Sequence, residues 1–415
     1  MIVRHVGCVV RTLGETIVAA LPGACIGNGV RVCSARGVLA GEVAAVERSR
    51  VAIVPFGSLS GVAVGDRVEI DDAARAAPLG FAALGRALDA AGAALDGAGA
   101  LRTRSVRVDR VGPEPRERRG IREPFWTGVR ALDGLLTIGR GARIGFFGAP
   151  GAGKTTLLES IATAARADAV VLALVGERGR EAQAWIDRCD ARTTIVCATS
   201  DRSASERVRA ADVAMAQACL LRDRGLHVAL IVDSLARYCA ALREQRVALG
   251  EAVGRGGYPP SVWAALARFL ECAGNAHDGS ITVLATVLSD GADEREPLSD
   301  AARSLLDGHI MLSSALARAG HFPAIDVLGS ASRTMDAVTD ASHLADAGAV
   351  RAVLALLAES KDARDVGLAA MTPALAAAVA AEPALMAFLR QGAPANPQEV
   401  RQELRAVAAS LGVLA

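Results

Sequence analysis

Lysine is nearly missing from this sequence. Of 46 basic residues only Lys154 and Lys361 are lysines, so the one lying in a glycine-rich loop stands out. Cysteines at metal-binding spacing are missing too. Cys8, Cys25, Cys33, Cys189, Cys197, Cys219, Cys239 and Cys272 form no C-x-x-C pair, which argues against a zinc site or a dithiol redox motif. The six histidines are dispersed and show no H-E-x-x-H pattern, so a metal site made of protein ligands alone is not expected. Neither sign of charge is in excess. A net charge of +1 sets up no global field for nucleic acid or acidic lipid. No apolar run is long enough to span a bilayer without charge, and the start, MIVRHVGCVVR, does not read as a signal peptide. A cytoplasmic protein with reduced, mostly buried thiols is expected.

What is present is core-forming material. The 415 residues are 52% hydrophobic and 22% charged, enough for two or three domains. Residues 1–75 carry short Val/Ile-rich runs (Cys8–Arg11, Thr16–Ala20, Gly29–Cys33, Val51–Pro55, Arg67–Ile70) between Gly and Pro turns, the pattern of a small β-barrel. Residues 76–124 read as a connector, Ala/Gly-rich and then arginine-rich, with the arginine run as a solvated linker. In residues 125–340 apolar runs (Arg143–Phe147, Ala169–Val175, Thr194–Ala198, His227–Val232, Ser280–Leu288) alternate with amphipathic segments (Thr155–Ala165, Arg180–Arg188, Ser205–Asp223). That alternation predicts an α/β domain with a mainly parallel sheet. Residues 341–415, Ala/Leu-rich at helical spacing, predict a small helical domain.

The chemistry begins with GAPGAGKTT. It fits G-x-x-x-x-G-K-[ST] from Gly148 to Thr155, after an apolar strand and at the start of a helix. In such a loop backbone N–H groups bind phosphate oxygens and the helix N-terminus favours negative charge. Gly148, Gly151, Ala152, Gly153 and Thr156 belong to this cradle. Lys154 supplies a point charge, and the Thr155 hydroxyl can ligate magnesium. A second magnesium carboxylate is offered by HVALIVDSLARY, an apolar strand ending at Asp233; the competing reading of Asp233 is a helix N-cap. The stretch GERGRE follows the strand after the P-loop helix, so its charges should emerge at the same sheet edge. Glu177 is then expected to orient the water that attacks a γ-phosphate, with Arg178 or Arg180 neutralising charge or holding Glu177 in place.

TGVRALDGLL (Thr127–Leu136), the P-loop, GERGRE, VDSLARY, RGGYPPSV (Arg255–Val262), RSLLDGHIML (Arg303–Leu312) and GHFPAIDVLGSASR (Gly320–Arg333) occur in order. Weaker traces are VGDRVEI, LGRALDAAGAALDG and MAFLRQ. As a set they resemble the ATPases of type III secretion systems, injectisome or flagellar, a family similar to the catalytic subunit of rotary ATP synthases. The resemblance implies a RecA-like P-loop core and ATP as substrate with Mg2+. It implies Glu177 as the catalytic glutamate with Arg178 beside it, and Asp233 as a magnesium carboxylate acting through water. Arg237 becomes a nearby active-site arginine, Phe322 the aromatic on the adenine ring, and Arg333 an arginine finger reaching a neighbouring subunit. Without the resemblance, Phe322 reads as core packing and Arg333 as a surface ion pair.

The implied setting is a homohexameric ring that handles chaperone–effector complexes, with a central stalk protein and a peripheral regulator. It would be cytoplasmic, peripheral at the inner-membrane base of the apparatus. The sequence departs from the family in the P-loop (Ala149, Pro150, Ala152), around EREPLSD (Glu294–Asp300), and in a short C-terminal region with DVGLAAMTP (Asp365–Pro373). Other readings remain: the flagellar export ATPase, a rotary ATP synthase subunit, a non-catalytic ring subunit, and a hexameric nucleic-acid translocase. Near-neutral charge and the lack of a basic, aromatic barrel face speak against the last.

Overall fold

Alternation of side chains builds the N-terminal barrel. In the computed structural model, which describes residues 5–109, 111–276, 278–288, 297–366 and 371–411, six strands close in the order β1-β2-β5-β4-β3-β6. They are Val6–Leu13 (β1), Thr16–Ala20 (β2), Gly29–Ser34 (β3), Gly37–Glu47 (β4), Arg50–Pro55 (β5) and Arg67–Ile70 (β6). Every second residue points inward, so Ile17, Val30, Val32, Val43, Ile53 and Val68 form a closed apolar core. β4 was not foreseen, although at 11 residues it is the longest strand of the barrel. Its glycines and alanines blur the alternation, and its register slips between Val43 and Ala45.

The segment expected to be only a connector carries three short strands: Ala76–Pro78 (β7), Arg86–Leu88 (β8) and Ser105–Arg107 (β9). β7 pairs with β9. The arginine run is tied down rather than solvated throughout, since Arg118 donates to the carbonyls of Glu271 at 2.7 Å and Ala273 at 3.2 Å.

Strands and helices then alternate. In chain order they are Pro124–Phe125 (β10), Arg130–Leu135 (α1), Ile138–Gly139 (β11), Arg143–Gly148 (β12), Lys154–Ala164 (α2), Ala169–Glu177 (β13), Gly179–Ile186 (α3), Thr193–Thr199 (β14), Ala204–Arg222 (α4) and His227–Asp233 (β15). Leu235–Ala248 (α5), Pro260–Glu271 (α6), Gly274–Ala276 (β16), Gly279–Leu288 (β17), Pro297–Leu305 (α7), Gly308–Leu312 (β18), Ser314–Arg318 (α8), Ile325–Ser332 (β19) and Met335–Val338 (α9) follow. The last helices are Ala341–Glu359 (α10), Lys361–Asp365 (α11), Pro373–Leu389 (α12) and Pro397–Ser410 (α13).

These elements fall into two compact units, residues 1–118 with 168–281, and residues 119–167 with 282–415. In the first unit the sheet order is β15-β13-β14-β8, all parallel. All nine residues of β13 are buried, as expected of a strand covered on both faces. α4 departs from the amphipathic helix expected there. It is buried nearly all round, because alanines let its neighbours approach from every side, and Arg209, Gln217 and Arg222 are buried with it. Its start is fixed by a capping box between Ser203 and Glu206.

In the second unit the order is β19-β18-β12-β17, with β12 parallel to both neighbours and β19 antiparallel at the edge. The C-terminal helices pack on α1. The Gly134 carbonyl lies 2.7 Å from His343 Nε2, and a Cβ on Gly134 would stand 2.9 Å from the Phe388 ring. α10 is long and apolar enough to cross a membrane by length and composition, yet its Ala347, Val350, Val353 and Leu357 are buried in the protein. The divergent stretches Glu294–Asp300 and Asp365–Pro373 lie partly outside the described residues.

Candidate active site

The second unit carries the P-loop. β12 is buried up to Gly148, where a Cβ would come within 3.0 Å of the Leu312 carbonyl oxygen. Gly151 and Gly153 adopt φ of 81° and 88°, the left-handed region that a side chain would strain. Between them Ala152 is buried. α2 starts at Lys154, and its exposed first turn carries Thr155 and Thr156. The unpaired N–H groups of that turn favour an anion. Lys154 Nζ donates to the carbonyls of Gly148 at 2.6 Å and Ala149 at 2.8 Å, which holds the ammonium against the loop.

Phe322 stands beside this loop, its ring 3.9 Å from where a Cβ on Gly153 would be. It is 50% exposed, so core packing does not account for it. Its backbone is pinned by Gln391, whose N–H donates to the Phe322 carbonyl at 2.8 Å. The Gln391 amide also accepts from Arg130 N at 2.7 Å and donates to Gly128 O at 2.5 Å. Gln391 ends the MAFLRQ stretch, and its bridging role has no local sequence signal. Arg333 is exposed at the end of β19 and, among the described residues, its side chain makes no hydrogen bond or ion pair. Its charge helps Arg303 and burial to lower the basicity of His309 on β18.

The first unit carries buried carboxylates. Glu177 closes β13 and is 6% exposed. Its ion-pair partner is Arg237 on α5, not Arg178 or Arg180. Burial draws the Arg237 guanidinium below its ordinary pKa. Gly176 makes room for this pair, since a Cβ there would meet Arg237 Cδ at 3.2 Å and Arg207 Cδ at 3.4 Å. Arg207 went unnoticed in the sequence because α4 carries it far from GERGRE. Arg178 caps α3 with its side chain 81% exposed, reaching only Glu181 at 4.0 Å. Asp233 ends β15 and is buried, and the N-cap of α5 is its neighbour Ser234, which accepts from Arg237 N at 3.3 Å. The N-cap reading of Asp233 therefore fails.

Residues 128–332 match the ATP synthase alpha/beta family, nucleotide-binding domain. The chain is 44% identical to the Type 3 secretion system ATPase of Sinorhizobium fredii, over 93% of this chain and 88% of that protein. The chain belongs to the type III secretion and flagellum-specific ATPase family. It is 41% identical to the Flagellum-specific ATP synthase of Pseudomonas aeruginosa, over 98% of this chain and 92% of that protein. The family likeness extends to the fold. The assembled ATPase EscN of enteropathogenic E. coli, solved in complex with its central stalk EscO, superposes with a TM-score of 0.89 at 36% identity, covering 97% of this chain and all of that one. Membership makes the chain an ATPase, and the P-loop lies within the stretch that matches the family's nucleotide-binding domain.

Proposed function

We propose that this chain hydrolyses ATP to energise type III protein export at the base of an injectisome. In this reading it works as a homohexameric ring that releases chaperones from secreted effectors and helps unfold them. Its partners are then chaperone–effector complexes, a central stalk protein and a peripheral regulator, and it sits in the cytoplasm at the inner membrane. The support is likeness to a type 3 secretion ATPase over nearly the whole chain, and to an assembled ATPase solved with a central stalk.

The catalytic assignment rests on one observation, the buried Glu177 paired with Arg237 at the end of the strand that follows the P-loop helix. Glu177 orients the attacking water, while the P-loop N–H groups and Lys154 hold the phosphates. Phe322 packs on the adenine, and Arg333 reaches the γ-phosphate in the neighbouring subunit. Arg178, beside Glu177, adds positive charge near the phosphates. The Thr155 hydroxyl and the Asp233 carboxylate are oxygen donors of the kind magnesium takes. Bound there, magnesium supplies charge neutralisation for the β- and γ-phosphates.

A flagellar role is the second reading, supported by the 41% identity to a flagellum-specific relative. The test is deletion of the gene in its source organism, followed by rescue with the natural copy or with Glu177→Gln. Lost effector secretion with intact swimming, rescued only by the natural copy, is expected. Lost swimming with normal secretion selects the flagellar reading, and survival of both traits overturns export altogether.

A further inference from the structure

A cavity of about 370 Å³ opens within the first unit, between the barrel and helices α4, α5 and α6. Its walls mix apolar and polar groups, and Val43, Val54, Phe56, Val208, Leu242 and Phe269 form the apolar part. Four guanidinium groups line the same space: Arg75, Arg209, Arg246 and Arg268. Arg75 is satisfied, with Glu42 at 3.3 Å, Asp109 at 3.4 Å and the Gly27 carbonyl. Among the described residues the side chains of Arg209, Arg246 and Arg268 make no hydrogen bond and no ion pair. The Nε atoms of Arg209 and Arg246 are buried without a partner.

Arg209 is the sharpest case. It is 6% exposed, and its guanidinium lies 3.8 Å from the centre of the Phe56 ring. The aromatic face compensates part of the charge, but it satisfies none of the five N–H donors. A buried guanidinium without hydrogen bonds is costly, so a fold that needed only stability would have an apolar residue here. Asp212, one turn along α4, does not pair with it; that carboxyl instead accepts a long 3.4 Å bond from the Tyr238 hydroxyl.

We propose that this cavity binds a small molecule carrying an anionic group, phosphate or carboxylate, on a flat apolar body, with Arg209 as its anchor. The guanidinium is already oriented by the Phe56 ring, and its planar fork suits a two-oxygen anion. The apolar walls take the body of the ligand, and the volume lies at the small end of small-molecule pockets. Arg246 and Arg268 add positive charge, set against the Glu42, Asp109 and Asp212 carboxyls of the same lining, of which Glu42 and Asp109 are already paired with Arg75. No part of the P-loop or of Glu177, Asp233 and Arg237 lines this cavity.

The test uses the full chain, saturated with magnesium and a non-hydrolysable ATP analogue so that the nucleotide site is filled. Three probes are titrated by calorimetry: 1-naphthyl phosphate, 1-naphthol and inorganic phosphate. One 1-naphthyl phosphate per chain is expected, with the other two probes at least tenfold weaker. Arg209→Met should weaken 1-naphthyl phosphate by about ten- to a hundredfold, the worth of a lost charge-assisted hydrogen-bond pair. Arg268→Met, at the exposed rim, should weaken it severalfold and keeps the test open should Arg209→Met not fold. Arg224→Met, a surface change outside the cavity, should leave binding unaltered. Affinity unchanged in both cavity variants overturns the proposal, as does the absence of binding. Naphthol binding equally well would remove the anion site, and phosphate binding equally well would remove the apolar one.

Discussion

The two compact units treat the charges proposed for catalysis in opposite ways. In the second, the charges sit on or near the surface and are balanced by backbone: Lys154 leans on two loop carbonyls, and Arg333 stands exposed at a strand end. In the first, the carboxylates are buried: Glu177 and Asp233 close two covered strands, and Glu177 is balanced by the Arg237 side chain. The contrast teaches that activity and stability are separable in the second unit and entangled in the first. Surface groups outside the core contribute within about 0.5 kcal/mol to folding, whereas a broken buried pair costs several times more.

The largest expected effect tests the separable side. Arg333→Ala should lower hydrolysis by the assembled enzyme by roughly 10³–10⁵, the range for removing an arginine finger. Its melting temperature should stay within about 2 °C of the parent, since the side chain makes no bond to lose. Mixed rings of Arg333→Ala and Glu177→Gln should regain part of the activity, because some interfaces then combine an intact finger with an intact glutamate. Phosphate release by mixtures shown to co-assemble, read beside calorimetric melting, checks both halves of this expectation. A clear drop in melting temperature for Arg333→Ala would erase the contrast between the units. No recovery in the mixtures would remove the shared site.

Much of this contrast was legible in the sequence, for identifiable reasons. The P-loop announces itself because its chemistry is local: glycines, a lysine and a threonine at fixed spacing, between a strand and a helix. TGVRALDGLL was quoted only as a motif, and the structure explains it. Asp133 accepts from Thr127 N at 2.9 Å, Thr127 Oγ1 at 2.7 Å and Gly128 N at 2.8 Å, closing the turn before α1. Of the two roles open to Arg178 and Arg180, that of holding Glu177 falls instead to Arg237, because pairing between elements is not local in sequence. Arg178 is adjacent in sequence but swings outward to cap α3, while Arg237 arrives from α5. β4 was missed because Gly and Ala carry too little contrast to show alternation. The cavity of Arg209 was invisible because a buried, unpaired arginine looks like any helix-surface arginine until its helix proves to be covered.

A smaller effect probes the entangled side. Arg237→Leu leaves the Glu177 carboxylate buried without its partner. The expected loss is about 1–3 kcal/mol, below the full cost of breaking a buried pair because the guanidinium is about one-third exposed. Lys154→Ala, by contrast, should abolish hydrolysis with almost no change in the denaturation midpoint. Equilibrium denaturation of the two variants side by side, with slopes held equal, gives the comparison. Equal destabilisation by both changes would show that the two units do not differ in the way argued.

The smallest expected effect is a pH dependence, and each unit supplies one desolvated carboxyl to compare, Asp133 fully buried and Asp212 half-buried at the cavity wall. Burial raises Asp133 to about 6 against three donated hydrogen bonds, and raises Asp212 to about 7, with nearby Arg209 and one long bond from Tyr238 opposing. Both lie above the unfolded value of about 3.9. The folded state therefore holds these protons more tightly than the unfolded chain does. The stability they contribute is complete below about pH 4 and is lost as pH rises through 6 for Asp133 and 7 for Asp212. Asp212→Asn should flatten the fall of melting temperature between pH 4 and 8 more than Asp133→Asn does. At pH 8 the Asp212 variant should be at least as stable as the parent, because an amide needs no desolvated charge beside Tyr238. The Asp133 variant should be less stable at every pH, because three donors converge on its two oxygens and an amide nitrogen would face one of them. A parent-like pH slope in Asp212→Asn would mean that the carboxyl is solvated in solution, and the first unit would then lose part of its claim to be the one that buries charge.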